Sequence, residues 1–170
     1  MMSNACSVGL VLALLGFSTA ALQAQGSGDG CSLLKGAEVQ ALAGAAKVGP
    51  GTASSDALGS RLCRYEWGIG NNAQHGRSVL DVSITPISKA FPGTDAALLR
   101  QGLLAKARQP NTAVIPGVGD AAIYESSDPI HVAATAMTKG NMLIVTLESA
   151  DARGKKDQVI ALLKAAAGRL

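Results

Sequence analysis

The stretch His131–Glu148 reads HVAATAMTKGNMLIVTLE, two strand-like runs separated by Gly140-Asn141. Glycine and asparagine tolerate the left-handed backbone that a tight hairpin needs, so the pair marks the turn and makes the two runs antiparallel neighbours. In the second run alternation sends Leu143, Val145 and Leu147 to one face and Met142 and Ile144 to the other. A strand apolar on both faces belongs in the middle of a sheet, covered on each side. The run Ala121 to Glu125 reads as a third strand of this half.

Upstream lies a second hairpin. Arg61 to Trp67 alternates, with Cys63, Tyr65 and Trp67 on an inward aromatic face and Leu62, Arg64 and Glu66 on the other. Arg64 and Glu66, sharing a face, form a surface salt bridge in this reading. A turn at Gly68-Ile69-Gly70-Asn71-Asn72 leads to a strand from Ser78 to Thr85, with Leu80, Val82 and Ile84 facing inward. Helical spacing predicts a helix from Leu34 to Ala46 and a loop from Gly49 to Ser60. A second helix, capped by Thr94 with Asp95 in its first turn, runs to Gln109 before Pro110 and buries Leu99 and Leu103. A third, capped by Asp151, carries the stripe Val159, Leu162, Leu163, Ala166, Leu170. The expected fold class is α+β, a mainly antiparallel five-stranded sheet with helices packed on it, in the order α-β-β-α-β-β-β-α. One domain, residues 31–170, holds it all.

The N-terminus points to export. The apolar run from Val8 to Leu22 falls short of the roughly 20 residues that span a bilayer. Small residues follow, and Ala24 suits signal-peptidase cleavage, so residues 1–24 read as a signal peptide and 25–30 as a flexible Gly/Ser tether. Cys6 precedes the apolar run and Cys31 lies well past it, so neither sits where a lipidated cysteine should. The expectation is a periplasmic or secreted protein with no stable membrane anchor after cleavage. Cys6 leaves with the leader, and Cys31 and Cys63 remain. In an oxidising compartment such a pair reads as a disulfide, and closing a loop of this length contributes roughly 3–4 kcal/mol in the chain-entropy model. No Cys-x-x-Cys spacing supports a redox role.

The net charge of +3 is spread along the chain, and aromatics make up 3% of it, which argues against a nucleic-acid partner. Gly68-Ile69-Gly70-Asn71-Asn72-Ala73 and Gly117-Val118-Gly119-Asp120-Ala121-Ala122 match a loose dinucleotide fingerprint, but neither has a strand before and a helix after. Both read as turns. The two histidines, His75 and His131, lack metal-ligand spacing, and no Gly-x-Ser-x-Gly elbow occurs. No catalytic residue, metal or cofactor is therefore expected. Trp67 reads as core, with ligand anchoring as the alternative. The candidate surface for a ligand or partner comprises Trp67, Gly68 and Gly70 at one turn and Gly117, Gly119 and Asp120 at another.

Several short motifs carry a resemblance: Cys31-Ser32-Leu33-Leu34 ahead of a helix with Glu38, Cys63-Arg64-Tyr65-Glu66-Trp67 opening a strand, and Pro116-Gly117-Val118-Gly119-Asp120-Ala121-Ala122 before the later strands. The chain resembles small bacterial envelope proteins of unknown function, many of them actinobacterial lipoproteins, with a PsbP-like α/β/α sandwich. The resemblance implies a Cys31–Cys63 disulfide and a non-catalytic role. It supplies no catalytic residues, and this chain departs from it in lacking a lipidation cysteine. The function expected is an exported, disulfide-stabilised binding or accessory domain of the cell envelope whose partner is a protein or an envelope component. The alternative is a small secreted enzyme with a site assembled from residues distant in sequence.

Overall fold

The computed structural model describes residues 30–68 and 76–170; the leader, the tether as far as Asp29, and the turn holding Gly70 and His75 lie outside them. The helices are α1 (Gly36–Ala43), α2 (Ile87–Ala90), α3 (Ala96–Lys106) and α4 (Lys156–Arg169). The strands are β1 (Thr52–Ser55), β2 (Arg61–Gly68), β3 (Arg77–Pro86), β4 (Thr112–Val114), β5 (Ala121–Asp128), β6 (His131–Thr138) and β7 (Asn141–Glu148). They form one antiparallel sheet in the order β1-β2-β3-β7-β6-β5-β4.

The expectation of five strands is corrected to seven. Both additions are edge strands. Every residue of β1 is exposed, and β4 is three residues long. Neither buries an apolar row, so neither leaves a period-2 signal; their order comes from pairing alone, Ala53 opposite Cys63 and Ala113 opposite Tyr124. The α+β class stands, and β7 takes the central place that its two apolar faces demand.

The inner face of the sheet carries the core. Cys63, Tyr65 and Trp67 meet Leu80, Val82 and Ile84, then Leu143, Val145 and Leu147, then Val132, Ala134 and Ala136. Over them lies α4 with Val159, Leu162, Leu163 and Ala166, and beside it α1 with Val39 and Leu42. Leu34 is buried, but α1 starts only after Lys35, whose backbone is extended, so the first helix is shorter than its apolar pattern suggests. Asp95, not Thr94, caps α3 by accepting from the Ala97 amide at 2.7 Å. Asp151 precedes a 3-10 turn (Ala152–Lys155) without capping it and instead accepts from the Ser149 hydroxyl at 2.6 Å.

Cys31 and Cys63 form a disulfide across 32 residues, with Cα atoms 4.8 Å apart. It ties the 3-10 turn Gly30–Ser32 to β2. Gly30, expected in the tether, is buried: a Cβ there would stand 2.7 Å from the Cys63 amide nitrogen and 2.9 Å from the Val82 carbonyl. Gly30 is therefore packed against the sheet together with Cys31. The expected Arg64–Glu66 salt bridge is also replaced. The hairpin register sets Arg64 opposite Asp81, which it grips through two bonds of 2.8 and 2.7 Å, and Glu66 pairs with Arg77.

Candidate functional site: the outer face of the sheet

Alternation that buries one set of side chains turns the other set outward, and the register lines these up in rows. One row crosses the sheet as Ile123, Thr135, Ile144, Ser83 and Leu62. A second runs Glu125, Ala133, Thr146, Asp81 and Arg64. Helix α3 lies over the β5 end of these rows. Its hold is light: none of its residues is buried, and Leu99 and Leu103, expected in the core, are half-buried. Leu98 is 61% exposed. Arg100 Nε donates to the Asp120 carbonyl at 2.9 Å, and Lys106 pairs with Glu125 at 2.5 Å. The helix pattern of α3 was legible, but its apolar positions meet an outer face already half filled by β-strand side chains.

Beside α3 the face is left open as a groove of about 380 Å³. Its floor is Ile123, Ala133, Thr135, Met142 and Ile144, with Leu103 as one wall. Its polar end holds Lys106, Glu125 and His131. His131 stands between two carboxylates, Nδ1 3.7 Å from Asp128 and Nε2 3.6 Å from Glu148. An apolar floor with a few charged groups at one end suits a ligand or segment that is itself apolar along one side.

Met142 and Ile144 were visible in the sequence as the second apolar face of a central strand. That pattern indicates a cover and does not say whether the cover is complete. Thr135, Ala133, Leu103 and Ile123 carried no signal as a group, because only the register β5-β6-β7 and the placement of α3 bring them together.

The two turns named from sequence are differently placed. Trp67 is 5% exposed and belongs to the core, so ligand anchoring does not describe it. Gly68 is exposed at the end of β2, and Gly70 lies outside the described residues. Gly117, Gly119 and Asp120 are exposed, and they line two open depressions that do not join the groove. Their backbone has a structural task. The Asp120 amide donates to the Met137 carbonyl at 2.7 Å, and a Cβ at Gly119 would collide with that carbonyl oxygen. With φ of 53°, Gly119 is where only glycine is unstrained.

Among the described residues no helix is long and apolar enough to cross a membrane, and no group of three or more His, Cys, Asp or Glu is placed to hold a metal. The disulfide is consistent with an oxidising compartment. Comparison with protein-family models, with curated proteins and with solved structures finds no match to this chain.

Proposed function

We propose that this chain is an exported, disulfide-stapled domain of the bacterial cell envelope that works by contact, as a binding or accessory module in the periplasm or outside the cell. The observation that carries the reading is the outer-face groove. A core-building sheet has no need to leave Met142, Ile144 and Thr135 half covered beside a helix that buries none of its own residues. Its volume falls at the small end of the roughly 300–1,000 Å³ usual for ligand sites. The export reading rests on the leader pattern and the cysteine pair, and the kinship with PsbP-like envelope proteins rests on the motifs quoted above.

The test is a comparison of variants. The oxidised protein, its Ile144→Arg variant and a Leu58→Arg control on an exposed loop are used as baits in native envelope extract. A partner captured by the parent and the control but lost with Ile144→Arg, at unchanged melting temperature, supports the reading. No reproducible partner, together with turnover of a small substrate, overturns it in favour of a secreted enzyme.

A further inference from the structure

We propose that the outer-face groove takes an amphipathic cation, an ammonium group carried on a single apolar chain. This deepens the contact reading above and rests on it. Polarity changes in steps along one strand. The outward residues of β7 are Met142, Ile144, Thr146 and Glu148. Their partners on β6 are Thr135 opposite Ile144, Ala133 opposite Thr146 and His131 opposite Glu148. At about 3.4 Å per residue, Met142 to Glu148 makes a strip about 20 Å long, apolar at one end and acidic at the other. Ile123 extends the floor beside Thr135, and Leu103 of α3 forms the wall.

The charge at the acidic end decides the sign of the ligand. Three pairs settle the charges that α3, β2, β3 and β5 bring to this end of the face. They are Lys106 with Glu125, Arg64 with Asp81, and Arg77 with Glu66. Glu148 and Asp128 are left over, with His131 between them at 3.6 Å from one and 3.7 Å from the other. The imidazole offsets their charge only when protonated. One Asp128 oxygen accepts from the Ile130 amide at 2.9 Å, which orients the carboxylate without neutralising it. Arg64 acts on Glu148 only at a distance, because its fork is closed on Asp81. Among the described residues this corner therefore has two carboxylates without a Lys or Arg partner, in a chain of net charge +3.

A carboxylate or phosphate head would be repelled at this end, and a neutral head would gain nothing from it. An ammonium gains from both carboxylates while its chain covers Ile144 and Met142. Both carboxylates are about half exposed, so each contributes a small factor, and burial of the chain supplies most of the affinity. The acidic end sets which amphiphile is preferred, and the apolar end holds it.

The oxidised protein is titrated with three amphiphiles that share a decyl chain: decyltrimethylammonium, decyl maltoside and decanesulfonate. Each is kept below micelle formation at constant ionic strength. The amide resonances of Ile144, Thr146 and Glu148 are followed by nuclear magnetic resonance. Saturable shifts are expected with the ammonium, about tenfold weaker binding with the neutral head, and weaker still with the sulfonate. Glu148→Gln and Asp128→Asn should each weaken the ammonium about threefold and leave the maltoside unchanged, which a merely structural effect would not do. Added salt should narrow the preference in the same way. Asp157→Asn, on α4, should change nothing. Ile144→Arg should abolish binding of the maltoside as well as the ammonium. Equal affinity for the three heads, or a preference that survives Glu148→Gln combined with Asp128→Asn, overturns the cation and leaves the groove as a contact surface. Shifts that do not saturate with any of the three, or that persist in Ile144→Arg, overturn this inference, while capture from envelope extract decides the contact reading separately.

Discussion

Arg169 on the last helical turn of the chain closes a two-bond clamp on Glu38 in the first helix, Nη1 to Oε2 at 2.7 Å and Nη2 to Oε1 at 2.5 Å. The same guanidinium donates to the Leu33 carbonyl at 2.7 Å, two residues beyond Cys31. A third tie runs from Lys155 Nζ to the Leu42 carbonyl at 2.8 Å. The disulfide anchors the N-terminal segment to the sheet, and these bonds anchor it to α4 and to the 3-10 turn before it.

The clamp makes stability depend on acid. The Arg169 hydrogen bond holds the Glu38 carboxyl below its ordinary pKa of 4.5. A group with a depressed folded pKa adds stability that is fully present above its unfolded pKa and is lost as pH falls through the folded one. The urea midpoint should therefore hold steady above about pH 5 and drop below the ordinary carboxylate range. In Glu38→Gln this part of the acid loss should vanish. An unchanged acid profile in that variant would remove the clamp from the account.

Reduction of Cys31–Cys63 should cost roughly 3–4 kcal/mol of unfolding free energy, the chain-entropy value for a loop of this size. Denaturant titration with and without reductant measures it. Intact mass under non-reducing conditions should show two hydrogens missing and no lipid on Cys31. Free thiols at both positions would refute the staple.

Gly30→Ala should destabilise the fold by about 1–3 kcal/mol, because the new methyl meets backbone atoms of β2 and β3 that are held by the sheet. If residue 30 instead belonged to a free tether, the substitution would be neutral in a thermal melt.

These predictions divide along the line between what the sequence could and could not say. Period-2 alternation marked Cys63, Tyr65 and Trp67 as inward and Met142 and Ile144 as a second apolar face, since burial on a pleated strand writes itself into every other residue. The edge strand Thr52–Ser55 wrote nothing, being exposed on both faces. The salt bridge of Arg64 was misassigned to Glu66 because same-strand neighbours are visible in a sequence and cross-strand ones depend on register. The surroundings of Tyr124 show the same limit. Tyr124 lies far in the chain from Arg153 and Lys156, and only the packing of β5 under the start of α4 joins them.

Helix α3 should be the least protected of the longer helices against amide hydrogen exchange. It buries no residue, whereas α4 buries four and α1 two. Local opening costs what local burial supplies, so α3 amides should exchange by detachment of the helix while the core strands β3 and β7 exchange only on global unfolding. Replacing Lys106 by Met, which removes the pairing to Glu125, should speed α3 exchange and leave β7 unchanged. Equal protection in α3 and α4 would mean that the groove is closed by a firmly docked helix.

Tyr124→Phe should change stability by no more than about 1 kcal/mol, since the phenol's neighbour Ser126 already donates to the Asp128 carbonyl and the ring stays under Lys156. A thermal melt reads this directly. A larger loss would show that the bond to Ser126 holds β5 in place.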